Sequence, residues 1–378
     1  MEKTCTEPLN KEFCLFSSIF EPLSIRIIFS IVTSFLLSMI IAPRVIFNLK
    51  SRQIGQNVRE EGIKEHLKKS GIPTMGGIII LIPLMITTIL WCKLNPFVVI
   101  ALLVTAIMGL IGFFDDITKV VKARSLGLTA RQKLFGQILA GFGAALAIKY
   151  YPGLRFEMTM PGKEILELAP TCTQLPVFGA IDLGWLYIPF AIAVIVGATN
   201  AVNLTDGLDG LAAGTVVVAA TPFMVFAYVC GHIIFARHIG VVYIAGVGEL
   251  AVMSAAIGGG CLGFLWHNAH PASVFMGDTG SLALGGALGA IALCSKTEFY
   301  LAIVGGIFVI EALSVIMQVS YFKMTKGKRI FKMSPIHHHF ELCGWAEEKV
   351  VIRFWMAGIM MALVGLTLFA SRLVATAA

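Results

Sequence analysis

The stretch Asn200-Ala-Val-Asn-Leu-Thr-Asp-Gly-Leu-Asp-Gly-Leu211 decides how this chain is read. It lies between apolar runs at 185 to 203 and 210 to 229, each about as long as the roughly 20 residues needed to cross a bilayer. Yet it carries two carboxylates, Asp206 and Asp209, and two amides, Asn200 and Asn203. Polar groups are costly at a membrane boundary, and those kept there usually do chemistry. Spacings of three place the four residues on or near one face if the segment is helical, which predicts that they converge on a single ligand. Gly207 and Gly210 allow the backbone a sharp turn or a close approach to that ligand.

The flanking pattern repeats along the chain. Comparable apolar runs fall near 24 to 47, 76 to 93, 97 to 114, 133 to 150, 246 to 266, 279 to 296, 299 to 321 and 351 to 372, making ten in all. Of the 378 residues, 57% are hydrophobic and 13% charged, and the mean hydropathy is +0.85, outside the range of soluble domains. The predicted fold class is therefore an all-α polytopic membrane protein of about ten transmembrane helices. Residues 1 to 23 form an N-terminal interfacial extension and 24 to 378 a single integral-membrane domain. The extension lacks a basic region leading into a cleavable apolar core, so the first span is expected to direct insertion itself. Arg26, near the start of that span, is expected to snorkel outward. Residues 151 to 184 are richer in Pro, Gly and Thr and predict a short β-hairpin outside the hydrocarbon.

Sidedness follows from charge. With ten spans, the loops at 44 to 75, 115 to 133, 203 to 209, 267 to 278 and 322 to 350 share one side, and they carry most of the 29 lysines and arginines. The positive-inside rule makes that side cytoplasmic and puts both termini in the periplasm. The net charge of +7 is then a matter of topology and anionic headgroups, not of nucleic acid. Every motif-bearing loop falls on the same face, which predicts one cytoplasmic active-site cleft. The eight cysteines have no paired spacing and read as small buried hydrophobes.

Asp115 and Asp116 close the third apolar run in Phe113-Phe-Asp-Asp116. Adjacent carboxylates beside hydrocarbon repel each other, and a hard cation such as Mg²⁺ relieves this, taking one or two carboxylates and leaving its other positions to water and phosphate. The bland reading is a solvated helix end. Asp209 and Asp278 could instead cap spans six and eight. His337, His338 and His339 resemble a metal cluster, but adjacent histidines cannot all aim at one ion from a regular element, and a phosphate or leaving group suits them better. Gly258-Gly259-Gly260-Cys261-Leu262-Gly263 matches G-x-G-x-x-G without the strand that motif requires, so it reads as helix packing. Glu249, Glu311 and Gln318 lie inside apolar runs as functional candidates or interhelical hydrogen bonds. No P-loop or Gly-x-Ser-x-Gly elbow is present.

Acidic clusters, a histidine run and basic loops on one face suit phosphoryl transfer, whose catalysis is mostly positioning and charge neutralisation. Five ordered motifs resemble those of the polyprenyl-phosphate hexose-1-phosphate transferases: Pro73-Thr-Met-Gly-Gly77, Phe113-Phe-Asp-Asp116, the 200 to 211 stretch, Phe275-Met-Gly-Asp-Thr-Gly-Ser281 and Pro335-Ile-His-His-His-Phe-Glu341. Within that superfamily the first and last are similar to the phospho-N-acetylmuramoyl-pentapeptide transferases. The resemblance runs from about residue 44 to the C-terminus. It implies a dimeric bacterial inner-membrane enzyme using Mg²⁺, UDP-MurNAc-pentapeptide as donor and undecaprenyl phosphate as acceptor. By motif match, Asp278 would be the Mg²⁺ ligand, and Asp115 and Asp116 would sit at the lipid phosphate, Asp115 as base or nucleophile. Asn200, Asn203, Asp206, Asp209 and Phe275 would hold uridine and diphosphate, with Lys69, Thr74, Lys119, Asn268 and Gln318 lining the cleft. His337 and His338 would act at the diphosphate or sugar portion, with His339 beside them. The alternatives are a sibling transferring GlcNAc-1-phosphate and, in another class, a lipid flippase, whose internal repeats and mid-membrane charges are not evident.

Overall fold

A computed structural model of the protein describes residues 20–51, 71–121, 127–151, 153, 155–159 and 165–371. Each expected span coincides with a helix: α1 (Leu23–Ser51), α2 (Ile78–Trp91), α3 (Pro96–Val121), α4 (Ala130–Tyr150), α5 (Tyr187–Thr205), α6 (Leu211–Cys230), α8 (Glu249–Asn268), α9 (Gly277–Ser295), the pair α10 (Glu298–Val304) and α11 (Gly306–Met324), and α13 (Glu347–Ala370). Eight of the described helices are long and apolar enough to cross a membrane. α2, at 14 residues, and α4 occupy the two remaining runs. The ninth run is not one helix but is broken at Gly305. Two short helices complete the set, α7 (Ile233–Ile239) and α12 (Ile336–Leu342).

The region expected to hold one hairpin holds two. β1 (Phe156–Thr159) pairs antiparallel with β2 (Ile165–Leu168), and β3 (Cys172–Leu175) with β4 (Gly179–Asp182). β1 also pairs with β5 (Val242–Ile244), Phe156 opposite Ile244. Lys296 secures the second hairpin to the helices: its ammonium donates to the Pro170 carbonyl at 2.5 Å and to Tyr187 Oη at 3.1 Å.

α9 is the centre of the molecule. Every residue from Thr279 to Ser295 is buried, and α3 and α5 pack on either side of it. Small residues allow this close packing: any side chain at Gly112 of α3 would collide with the Asp278 backbone. The contact sets the start of α9 against the carboxylates of α3.

α1 and α8 form a second tight pair through a hydroxyl ladder. Ser30, Ser34 and Ser38 donate to the carbonyls of Val252, Ala256 and Gly260 at 2.8, 2.7 and 3.2 Å. The glycine-rich run of α8 faces this ladder, with Gly259 against Ile31 and Gly263 against Ser38. Arg26 does not snorkel. It is buried and makes a bidentate pair with Glu249, Nη1 to Oε2 at 2.6 Å and Nη2 to Oε1 at 2.8 Å, because α8 presents a carboxylate at its level. Glu249 is thus an interhelical partner. The described cysteines are free, and all but Cys343 are buried.

Candidate active site

α3 does not stop at the carboxylate pair. It continues to Val121, so Asp115 and Asp116 sit within its last turns and face inward, almost fully buried. Asp116 Oδ1 accepts from the backbone N–H of Asp278 at 3.2 Å. Its Oδ2 accepts from the N–H and hydroxyl of Thr279 at 2.9 and 2.7 Å. Those two N–H groups belong to the first turn of α9, where intrahelical partners are lacking, so a carboxylate of α3 caps α9. Asp278 itself lies inside that turn and is not the cap.

Freed from capping, the Asp278 side chain reaches into a charged cluster. Asn203 Nδ2 donates to its Oδ1 at 3.0 Å and to Ser281 Oγ at 2.8 Å. Lys133 Nζ lies 2.5 Å from Asp278 Oδ2 and 3.0 Å from Asp115 Oδ1. Lys119 Nζ lies 2.7 Å from Asp115, 3.2 Å from Asp278 and 3.5 Å from Asp116. The backbone N–H of Leu128 donates to Asp115 at 2.7 Å. One oxygen from each of the three carboxylates lies within 4.8 Å of the others. Thr74 borders this group, a Cβ at Gly277 falling 2.7 Å from Asp116 Oδ2 and 2.9 Å from Thr74 Oγ1. Lys69 lies outside the described residues.

The four polar residues of 200 to 211 do not share one helical face. α5 ends at Thr205, and the backbone turns at Asp206 and through Gly210, whose φ is +78°. Asn200 points to α4, donating to Gln137 Oε1 at 2.7 Å, and is a packing contact. Asn203 and Asp206 stay with the cluster. Burial, with the Asp278 and Asp116 carboxylates nearby, pushes the Asp206 carboxyl up to about 8. Asp209 turns the other way and does not cap α6, for which Gly210 is the N-cap residue. Its Oδ2 meets His270 Nδ1 and the Ala272 N–H, both at 3.1 Å, and Glu347 Oε1 accepts from its N–H at 2.9 Å. Asn268 fixes the same turn, accepting from Gly210 N–H at 3.0 Å and donating to the Val274 carbonyl at 2.9 Å. Phe275 is half-buried, and its backbone pairs with Pro73 and Gly76.

The histidines diverge. His337 is fully buried against Glu311, His338 pairs with Glu341 at 2.7 Å, and His339 accepts from the Lys332 N–H at 3.1 Å. Three separate partners leave no common point for one ion. Gln318 Oε1 accepts from the N–H groups of Ile330 and Phe331, bracing the chain that leads to α12.

Such an arrangement, carboxylates held apart by lysines at the ends of packed helices, can neutralise and orient phosphates. Residues 98–296 match the model of glycosyl transferase family 4. Residues 69–81 match the phospho-N-acetylmuramoyl-pentapeptide-transferase signature 1. The chain is 49% identical over 357 residues to the phospho-N-acetylmuramoyl-pentapeptide-transferase of Desulfotalea psychrophila, covering 94% of this chain and 96% of that one. The chain belongs to the phospho-N-acetylmuramoyl-pentapeptide-transferase family. The Thermodesulfovibrio yellowstonii member is also 49% identical, over 92% of this chain and 94% of its own. That of Desulforapulum autotrophicum is 47% identical, over 95% and 97%.

Lys133 belongs to the cluster by geometry and is not marked by the sequence motifs. In sequence it is one charge in the basic loop 115 to 133, because nothing local says that its ammonium reaches Asp278, 145 residues away. His270, 61 residues from Asp209, is unmarked for the same reason, and the partners of Thr279 and Ser281, though both lie in a quoted motif, are equally distant in the chain.

Proposed function

We propose that the protein transfers phospho-MurNAc-pentapeptide from UDP-MurNAc-pentapeptide to undecaprenyl phosphate, giving lipid I and UMP. The observation that carries this reading is the meeting of Asp115, Asp116 and Asp278 with Lys119 and Lys133. Three carboxylates and two ammoniums leave the cluster one negative charge, which suits a divalent cation together with an anionic phosphate.

The donor set fits Mg²⁺: hard carboxylate oxygens from two helices, close enough to share one ion. Asp278 would be its main ligand, with Asp115 or Asp116 beside it. When bound, Mg²⁺ supplies charge neutralisation for the diphosphate and the departing UMP. Asp116, already accepting three hydrogen bonds, holds the first turn of α9 in place. Asp115 is the group left to orient or deprotonate the acceptor phosphate, whose oxygen attacks the β-phosphorus directly. Lys119 and Lys133 swing from carboxylate to phosphate as the substrates enter. Asn203 keeps the Asp278 carboxylate turned toward them. The turn carrying Asp206 and Asp209, with Asn268, Phe275, Thr74 and Gln318, lines the donor side, and His337, His338 and His339 close it; Lys69 joins them by motif resemblance alone. The cluster faces the cytoplasm and both termini the periplasm, supported by the basic loops on the motif side. The family resemblance also points to a homodimer.

The test is UMP release from UDP-MurNAc-pentapeptide by the purified protein with undecaprenyl phosphate and Mg²⁺. Release that needs lipid, metal and Asp278, lost in Asp278→Asn, is the expected result. Release from UDP-GlcNAc alone would assign the chain to the sibling reaction. A covalent phospho-sugar enzyme trapped without acceptor would replace direct attack by a two-step route.

A further inference from the structure

Glu311 lies on α11, inside a helix long and apolar enough to span the bilayer, and is fully buried. Its Oε1 is 3.1 Å from Nδ1 of His337, which is equally buried on α12. The second atom of each group, Glu311 Oε2 and His337 Nε2, is buried with no hydrogen-bond partner among the described residues. Nε2 abuts the backbone of Gly207, where any Cβ would collide with the ring. Gly207 follows Asp206, whose carboxyl lies near the Asp278 and Asp116 carboxylates of the cluster. The ring of His338 packs on that of His337 with centroids 4.1 Å apart. A continuous path therefore leads from Glu311 through His337 and the 206–210 turn to the carboxylate cluster.

The chemistry of the pair sets its direction. Glu311 meets His337 through Nδ1, so Nε2 is the atom turned to the loop. Without Glu311 the imidazole could change tautomer or rotamer, and the glycine surface it presses on would lose its stop.

We propose that Glu311 is a positioning residue for the transfer reaction: through His337 it fixes the 206–210 turn, and with it the place where the donor's diphosphate meets the carboxylates. This rests on the donor site proposed above. The effect belongs to the donor side, because the turn carries Asp206 and Asp209, while Asp115 on the acceptor side is held by other partners.

The experiment compares Glu311→Ala, Glu311→Gln, His337→Ala and the Glu311→Ala/His337→Ala double variant as full-length protein in detergent, after each elutes as a single folded species. Losing a buried hydrogen bond to a charged group corresponds to about a tenfold change or more. The expected result is a donor KM about ten times higher in Glu311→Ala with the lipid KM unchanged. Most of this should be recovered in Glu311→Gln, whose amide oxygen still accepts from Nδ1. The double variant should be no worse than His337→Ala alone. Multiplying effects, equal changes in both KM values, or a Gln variant as poor as Ala would overturn the proposal. Binding of UDP alone, read by calorimetry, tests it independently of the sugar: UDP should bind Glu311→Ala about tenfold more weakly than wild type, and equal affinity or no binding to either overturns it. Wild type that binds UDP but releases no UMP from UDP-MurNAc-pentapeptide instead fails the transferase reading.

Discussion

Replacing Lys133 by Met should strengthen metal binding and weaken catalysis at once. Its ammonium lies 2.5 Å from Asp278 Oδ2 and 3.0 Å from Asp115 Oδ1, the oxygens a divalent ion would take. An ion there would sit within a few ångströms of Nζ. A single-charge pair at 4 Å is worth about 1 kcal/mol even with water-like screening, so a doubly charged ion meets about 2 kcal/mol of repulsion. Lys133 also has to be displaced from Asp278. Its side chain is 22% exposed and can swing aside on its flexible stem, which returns part of that cost. The expected gain is therefore about tenfold in affinity, or about 1.4 kcal/mol. The same substitution removes a cation from the donor phosphates, a charge-assisted contact worth about 1.5–3 kcal/mol, so kcat/KM for the donor should fall by about 10- to 100-fold. Calorimetric titration of the metal-free protein with Mn²⁺, beside the UMP-release assay, reads both. Weaker Mn²⁺ binding in Lys133→Met would refute the arrangement of charges argued here, and unchanged turnover would remove Lys133 from the donor site.

Other perturbations separate holding from chemistry. Asp116→Ala orphans the Asp278 and Thr279 N–H groups and should cost about 2–6 kcal/mol of stability, measured by thermal unfolding in detergent; Asp115→Asn should abolish UMP release with a much smaller change in melting. Glu249→Leu strands the buried guanidinium of Arg26 and should cost about 3–5 kcal/mol, most of it recovered in the Arg26→Leu/Glu249→Leu double variant; an additive loss in the same melting assay would contradict the pairing. Asp206 sets a pH dependence. Its carboxyl is pushed up to about 8 when folded, so its stabilising contribution is complete below the ordinary aspartate pKa of about 4 and is lost as pH rises through the folded value. The metal-free protein should therefore melt lower at about pH 9 than at about pH 6, and Asp206→Asn should flatten that difference.

What could be read from sequence was whatever depends on near neighbours along the chain. The ten apolar runs were legible because hydrocarbon thickness sets a length that each run meets by itself. The break at Gly305 was not, since the run around it still meets that length and a glycine pair in an apolar run can equally serve close helix packing. Asp115, Asp116 and Asp278 stood out because carboxylates beside hydrocarbon are costly, but their division of labour did not. Only packing α9 against α3 turns Asp116 into the cap of another helix and leaves Asp278 free for the cluster. The spacing of three in 200 to 211 suggested a shared face, and the turn after Thr205 sends Asn200 to Gln137 and Asp209 to His270 instead. Arg26 finding Glu249, and Lys133 finding Asp278, likewise join residues far apart in the chain. Local sequence specifies which polar groups are retained at a cost. Which of them meet is decided by the crossing of helices, because a charge buried in a membrane protein is stable only beside the partner that the fold brings to it.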